Sequence, residues 1–239
     1  VEDLPVRVGL YPHEVESTVS GTPEVIPAGA RLLSPHVIAE ARSATLGAIA
    51  GYHRNSPLEP GLSRELARQT VRDPELADLV QQQLAHEGLV VIEGQTLRLA
   101  DHRPELTGDQ RETGERVLLE LERADRQGKT AAELEAVVPD RGAAELVEYY
   151  VRLGTAVRVG KERYYSKESL DRLLQEFLKE VERLGEASPG QLRDLSGLSR
   201  KFLIPLLEWM DVNSYTVRRG DNRALGPAAK RVLGSVDTG

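Results

Sequence analysis

Cysteine is absent from the 239 residues. That excludes disulfides, thiolate zinc sites, iron–sulfur clusters and thiol nucleophiles, and it suits a cytoplasmic protein. Aromatic residues are scarce at 4%, with two Phe and one Trp, so any core must be built from Leu, Val, Ile and Ala. No apolar run is long enough to span a bilayer, so no membrane partner is expected. No basic segment followed by an apolar stretch marks a signal peptide. The chain opens on Val1 rather than Met and is expected to belong to a longer protein. What is present, 40% hydrophobic and 29% charged residues, is the composition of a folded chain and not a disordered one.

The net charge of −7 excludes a uniformly basic nucleic-acid binder, but it is unevenly spread. Residues 188–239 carry eight basic and five acidic side chains, a balance of +3, and the rest carries 23 basic and 33 acidic, a balance of −10. Chance explains such a split about as well as a polyanion-binding module at one end of an acidic arm.

Four segments read as β-hairpins, each with branched apolar residues on both sides of a glycine: Val25–Leu33 around Gly29, Leu89–Leu99 around Gly94, Ala156–Tyr165 around Gly160 and Tyr215–Leu225 around Gly220. The glycines are 65, 66 and 60 residues apart. Three helical segments precede each of the last three hairpins: Pro35–Tyr52, Ser63–Gln69 and a helix opened by Pro74 and stopped by Gly88; then Thr107–Gln127, Thr130–Val138 and Ala143–Leu153; then Lys167–Leu184, Ser188–Leu195 and a helix capped by Ser199 that ends at Asp211–Ser214. Helix, helix, helix, hairpin is the order of a winged helix. The reading is therefore α+β, mainly helical, a tandem array of four winged-helix units. The units are residues 1–35 (with one helix, Pro12–Ser20, and truncated at its start), 36–105, 106–166 and 167–239. Each is expected to bury its own core and share little apolar surface with its neighbours, which makes the array elongated.

Catalytic constellations are missing. Gly154-Thr-Ala-Val-Arg-Val-Gly160-Lys161-Glu162 has one residue too many for a phosphate loop, and Glu162 stands where a magnesium-ligating hydroxyl is needed. The five histidines fall in separate elements without ligand spacing, so His53 and His86 read as packing or capping residues. No nucleophile, metal or cofactor site is expected in this chain.

The densest motif lies at the end: Arg193-Asp194-Leu195, Gly197-Leu198-Ser199-Arg200-Lys201, Pro205-Leu206-Leu207-Glu208, Asp211, then Thr216, Arg218-Arg219-Gly220-Asp221 and Arg223. Gly197 takes the turn of a helix-turn-helix. Cations at a helix start are locally unfavourable, so Arg200 and Lys201 beside the Ser199 hydroxyl and free amides suggest a phosphate site. The hairpin adds Arg218, Arg219 and Arg223, and Tyr215 is a stacking candidate that equally suits the hairpin's core. Pairing of these arginines with Asp194 and Asp221 as ordinary surface charges is the competing reading.

This stretch resembles the last winged helix of the bacterial selenocysteine-specific elongation factors, the SelB family, whose pattern is Arg-Asp-Leu, Gly-Thr-Ser-Arg-Lys, Pro-Leu-Leu-Glu, Asp, then Thr-x-Arg and Gly-Asp-x-Arg. Leu198 replaces the usual Thr. Tyr52-His53-Arg54-Asn55-Ser56-Pro57-Leu58-Glu59-Pro60-Gly61 is similar to a second family segment. The resemblance implies the arm of a translation factor that binds an mRNA stem-loop downstream of a UGA codon. GTP, magnesium and selenocysteyl-tRNA would belong to a part of the factor lying outside this chain. The RNA-binding residues it implies are Arg193, Ser199, Arg200, Lys201, Arg218, Arg219 and Arg223. Further implied are a ribosome contact, a cytoplasmic location and a monomer. The rival is a tandem winged-helix DNA-binding regulator or a protein-binding adaptor. Most affinity is expected in residues 167–239, with Arg219 or Arg223 reading loop bases and Arg200 and Lys201 gripping the backbone.

Overall fold

The computed structural model describes residues 11, 26–28, 31–138 and 142–234, which fall into two compact units divided at Glu105 and Leu106. Among them no helix is long and apolar enough to cross a membrane. The expected helix Pro12–Ser20 lies outside the described residues.

In the first unit, β1 (Ile26–Ala28) pairs antiparallel with β2 (Arg31–Leu33). Helix α1 (Pro35–Asn55) begins where the Ser34 hydroxyl accepts from the Val37 amide and Pro35 takes the first position. Its buried residues Ile38, Ala41, Thr45, Ile49 and His53 recur every three or four positions, so one stripe faces inward. Helices α2 (Arg64–Arg68) and α3 (Pro74–His86) follow; Asp73 caps α3 by accepting from the Glu75 and Leu76 amides. Strands β4 (Val90–Glu93) and β5 (Thr96–Leu99) form the hairpin, and the short β3 (Leu62–Ser63) pairs with β5 to complete a three-stranded sheet. Ile38, Ile49, Leu76, Val80, Leu84 and Leu97 close the core.

The second unit repeats the order twice. Helix α4 (Gly108–Ala124) and a 3-10 turn (Asp125–Gln127) lead through β6 (Lys129–Thr130) into α5 (Ala131–Val137) and α6 (Ala143–Leu153), then β7 (Ala156–Val159) and β8 (Arg163–Ser166). Helix α7 (Lys167–Leu184) opens the next repeat, followed by α8 (Pro189–Ser196), α9 (Arg200–Val212), β9 (Thr216–Arg219) and β10 (Asn222–Leu225), with a last turn of helix α10 (Ala229–Leu233). Capping boxes at Thr107–Gln110, Thr130–Glu133 and Ser188–Gln191 set three helix starts. The described residues thus hold three helix-helix-helix-hairpin repeats, each a winged helix. Strands β3 and β6, the Ala187–Arg223 bridge that replaces them in the last repeat, and α10 are too short to show a periodicity in sequence. A Cβ on Gly61 would sit 2.5 Å from the Leu97 carbonyl oxygen, and one on Gly128 would sit 2.5 Å from that of Tyr164. Glycine therefore stands before β3 and β6 because the chain there runs against the hairpin backbone.

One expectation is modified. The last two repeats are not fully separate: Val159 and Tyr165 of the third hairpin lie in one buried cluster with Leu170, Phe177, Leu206 and Met210, while Val117, Leu121, Leu134, Leu146 and Val147 of the third repeat are buried outside that cluster. The reason is the absence of any linker. Ser166 ends β8 and is also the N-cap of α7, its hydroxyl accepting from the Ser169 amide at 3.1 Å. Arg126 adds an ion pair to Glu176 at 2.9 Å, and the Arg163 guanidinium lies 4.8 Å from the Phe202 ring centre. The Tyr165 hydroxyl is buried without a partner among the described residues, and burial pushes its pKa up to about 12. Tyr165→Phe is therefore expected to keep stability within about 1 kcal/mol. Tyr165→Ala should lose about 3–5 kcal/mol and lower the melting of both repeats together in thermal denaturation of the chain.

Two histidines that the sequence places in different elements meet in the first unit. His53 and His102 stack with ring centres 3.6 Å apart at 11°. The His102 Nε2 lies 2.9 Å from the Glu59 carbonyl oxygen, while both ring nitrogens of His53 are buried without partners. Burial first, then the neighbouring His102, lowers the His53 pKa; Asp101 opposes this and Arg98 adds to it. The folded state therefore favours neutral His53, and the unfolded chain binds the extra proton. Stability from this site is full above the unfolded value of about 6.5 and falls as the pH drops below it. Urea unfolding at pH 7.5 and 5.5 should show that loss, and His53→Phe should flatten it.

Candidate nucleic-acid interface

The turn between α8 and α9 is built by short-range bonds. The Ser196 hydroxyl donates to the Leu192 carbonyl at 2.7 Å and accepts from the Leu198 amide at 3.3 Å. Gly197 takes φ +69° and its amide closes α8 on the Arg193 carbonyl. Leu198, where the family pattern has Thr, is 4% exposed in the core, so an apolar side chain fits there. Ser199 holds the N-cap position of α9, but its side chain makes no capping hydrogen bond. Ser199, Arg200 and Lys201 are all exposed, so the uncapped hydroxyl lies at the surface beside the two cations.

Arg193 of α8, Arg200 of α9, and Arg218 and Arg223 of the hairpin line one concavity of about 500 Å³, together with Ile204, Glu208 and Asp221. Three elements therefore bring four guanidinium groups to one place. Arg193 is held only by its neighbour Asp194 at 2.7 Å, an exposed pair of a kind worth about 0–1 kcal/mol. The Arg218 Nε donates to the Gly220 carbonyl at 2.9 Å, and its guanidinium reaches only to 3.8 Å from Asp221. Arg200 makes no ion pair or hydrogen bond among the described residues. These cations are accessible and lightly tied, as exchange for phosphate requires.

Arg223 differs. It is 4% exposed, sits 3.3 Å from Asp211, and leaves its Nε buried without a partner among the described residues. Asp211 also accepts from the Thr216 hydroxyl at 2.5 Å. Asp211, Thr216 and Arg223, three residues of the motif, therefore fasten the hairpin to the end of α9. The expectation that Arg223 reaches loop bases from a wing tip fails, because it lies in the wall of the concavity and not at the turn. Arg219 pairs with Glu186 at 3.1 Å outside the concavity. The Lys201 ammonium lies 5.6 Å from the Phe202 ring centre, also outside. Tyr215 packs on Trp209 with ring centres 5.5 Å apart and faces a different depression that contains Arg231; its surroundings are those of a core residue.

Sequence reasoning missed Ile204 and Glu208. They follow Arg200 by four and eight residues, so helical spacing alone places them on its face. Among the described residues no group of three His, Asp or Glu is arranged to hold a metal.

Two family models, each described as elongation factor SelB, winged helix, match residues 46–99 and 179–225. The chain carries winged helices of the SelB family. The second match encloses the whole SelB motif and every residue of the concavity; the first encloses the Tyr52–Gly61 segment. A selenocysteine-specific elongation factor of Desulfomicrobium baculatum is 31% identical over 203 residues, 82% of this chain and 32% of that protein. The Escherichia coli K12 factor is 25% identical over 210 residues, 86% and 34% respectively. The chain thus spans about a third of the length of these SelB relatives. Two solved structures are similar. The crystal structure of a bacterial selenocysteine-specific elongation factor has 22% identity and a TM-score of 0.49, covering 85% of this chain and 32% of that one. The mRNA-binding domain of Escherichia coli SelB in complex with SECIS RNA has 19% identity and a TM-score of 0.41, covering 48% of this chain and 98% of that one.

Arg223 and Arg200 should separate in stability measurements. Arg223→Ala leaves Asp211 without its buried partner and is expected to cost about 3–5 kcal/mol in urea unfolding. Arg200→Ala should stay within about 0.5 kcal/mol.

Proposed function

We propose that this chain is the mRNA-hairpin binding arm of a selenocysteine-specific elongation factor, and that the winged helix at residues 167–239 grips the hairpin. The observation that carries this reading is the concavity ringed by Arg193, Arg200 and Arg218 with Arg223 in its wall. The arginines answer phosphates, and Leu203 and Ile204 offer apolar contact to one base turned out of a loop. RNA suits this better than duplex DNA. An A-form major groove excludes a helix, so RNA is gripped by its backbone and by splayed loop bases. Helix α9 would carry Glu208 into a DNA groove, and α6, its counterpart in the preceding repeat, carries Glu145 and Glu148. In the proposed role the factor's GTP, magnesium and selenocysteyl-tRNA are handled outside this chain. The acidic units act as a spacer with a ribosome contact, and the protein is cytoplasmic and monomeric. A fourth winged helix over residues 1–35 belongs to the same proposal; the β1–β2 hairpin supports it.

Band-shift titrations with a selenoprotein mRNA hairpin, a duplex RNA and a duplex DNA test the reading. The hairpin should bind tightest, and binding should fall steeply with salt. Arg193→Ala, Arg200→Ala and Arg218→Ala should each cost about 1–3 kcal/mol and flatten the salt slope by about one. Because the last two repeats share a core, residues 106–239 and not 167–239 should retain most of the affinity. If all three substitutions leave hairpin affinity within about twofold, well short of that loss, the site is wrong.

A further inference from the structure

We infer that the hairpin of the third repeat forms part of the same RNA surface, with Lys161 as its contact to the RNA backbone. This rests on the reading of the fourth repeat as an RNA-binding module. The turn at Gly160 lies directly against α9: a Cβ built on Gly160 would be 3.7 Å from the Pro205 Cβ. Pro205 follows Lys201 by one helical turn, so the tip of the third hairpin stands beside the face of α9 that carries Lys201. The tip is held in shape. Arg158 donates from Nε and Nη2 to the Lys161 carbonyl at 3.1 and 2.9 Å, and it is itself paired with Glu148 at 3.1 Å. Val159, one residue before the glycine, is buried in the core shared with α9. The tip is therefore fixed relative to Arg200.

Charge pairing points the same way. Most described cations in residues 106–239 have a carboxylate, as in Arg116–Glu112, Lys129–Glu120 and Arg183–Glu180. Lys161, Arg200 and Lys201 are exposed and form no ion pair among the described residues, as is also true of Lys179, Lys230 and Arg231, but only the first three lie on α9 or on the hairpin tip packed against it. Three such cations around the start of α9 extend the basic surface from the concavity, across the helix, onto the neighbouring hairpin. Phosphates of an RNA segment continuing past the nucleotides gripped in the concavity fit that extension. Glu162, exposed beside Lys161, is the acid that such a segment would meet.

The test uses the full chain with two RNAs, a complete hairpin and one cut to its apical loop and a few base pairs. Lys161→Ala should weaken the complete hairpin about three- to tenfold at low salt and lower its salt slope by about one. The shortened hairpin should stay within about twofold under the same counterion argument. Lys161→Glu should weaken the complete hairpin further, and Glu162→Gln should tighten it. Both positions are exposed, so unchanged melting temperatures exclude a folding effect. If both Lys161 variants bind the complete hairpin like the wild type while Arg200→Ala weakens it, the third hairpin is not part of the surface and the role of the fourth repeat stands. If the wild-type chain binds neither hairpin, both readings fall.

Discussion

Ser166 is the constraint on which the second half of the molecule depends. It is the last residue of a strand and the cap of the helix that follows, so no free residue separates two winged helices. A β-hairpin that must turn at once into a long amphipathic helix cannot keep its inner face apart from that helix's inner face. Val159 and Tyr165 enter the core of the following repeat for that reason. The Arg126–Glu176 pair and the contact of Arg163 with Phe202 then close the seam. Burying a side chain the size of Tyr165 is worth about 1.5–3 kcal/mol, more than an exposed ion pair provides, so the apolar junction dominates and the polar contacts set its register.

A rigid seam changes how the basic end can work. Cations on separately mobile domains must be ordered when a polyanion binds, and that entropy opposes binding. Here α8, α9, the last hairpin and the preceding hairpin are parts of one packed body. Their charges are held in place before any ligand arrives. The wall of the concavity follows the same logic: Asp211 holds Arg223 and Thr216, which keeps the last hairpin against α9 and keeps Arg218 near Arg193 and Arg200. A motif residue thus contributes to binding by shaping the site as well as by touching a ligand. The fastening to Asp211 accounts for a cation at a position that solvent scarcely reaches.

The acidic first unit shows a different use of buried polarity. His53 and His102 stack where the end of α1 meets the chain leaving β5, and the Glu59 carbonyl is bound there too. The Tyr52–Gly61 segment that stands out in the sequence is therefore a packing device for a helix end and for the tight approach of Gly61 to the hairpin.

The sequence by itself determined the element order, since capping residues, glycine turns and apolar spacing act over three or four neighbours. Ala143–Leu153 and Lys167–Leu184 match their expected bounds, and the capping box at Thr130–Glu133 is present. It also determined which end is basic, because charge is additive along a chain. Only the tertiary structure decided which of those cations share a place. Arg193, Arg200 and Arg218 converge, Arg219 turns to Glu186, Arg223 goes inward to Asp211, and Tyr215 packs on Trp209. Successive residues along a strand point to opposite faces, so Arg218 and Arg219 diverge, while the cross-strand partners Arg218 and Arg223 share a face; which partners they meet there comes from distant parts of the chain, so linear spacing does not assign them. The same holds for the shared core and the stacked histidines: both arise from contacts between elements many residues apart, which local periodicity does not encode.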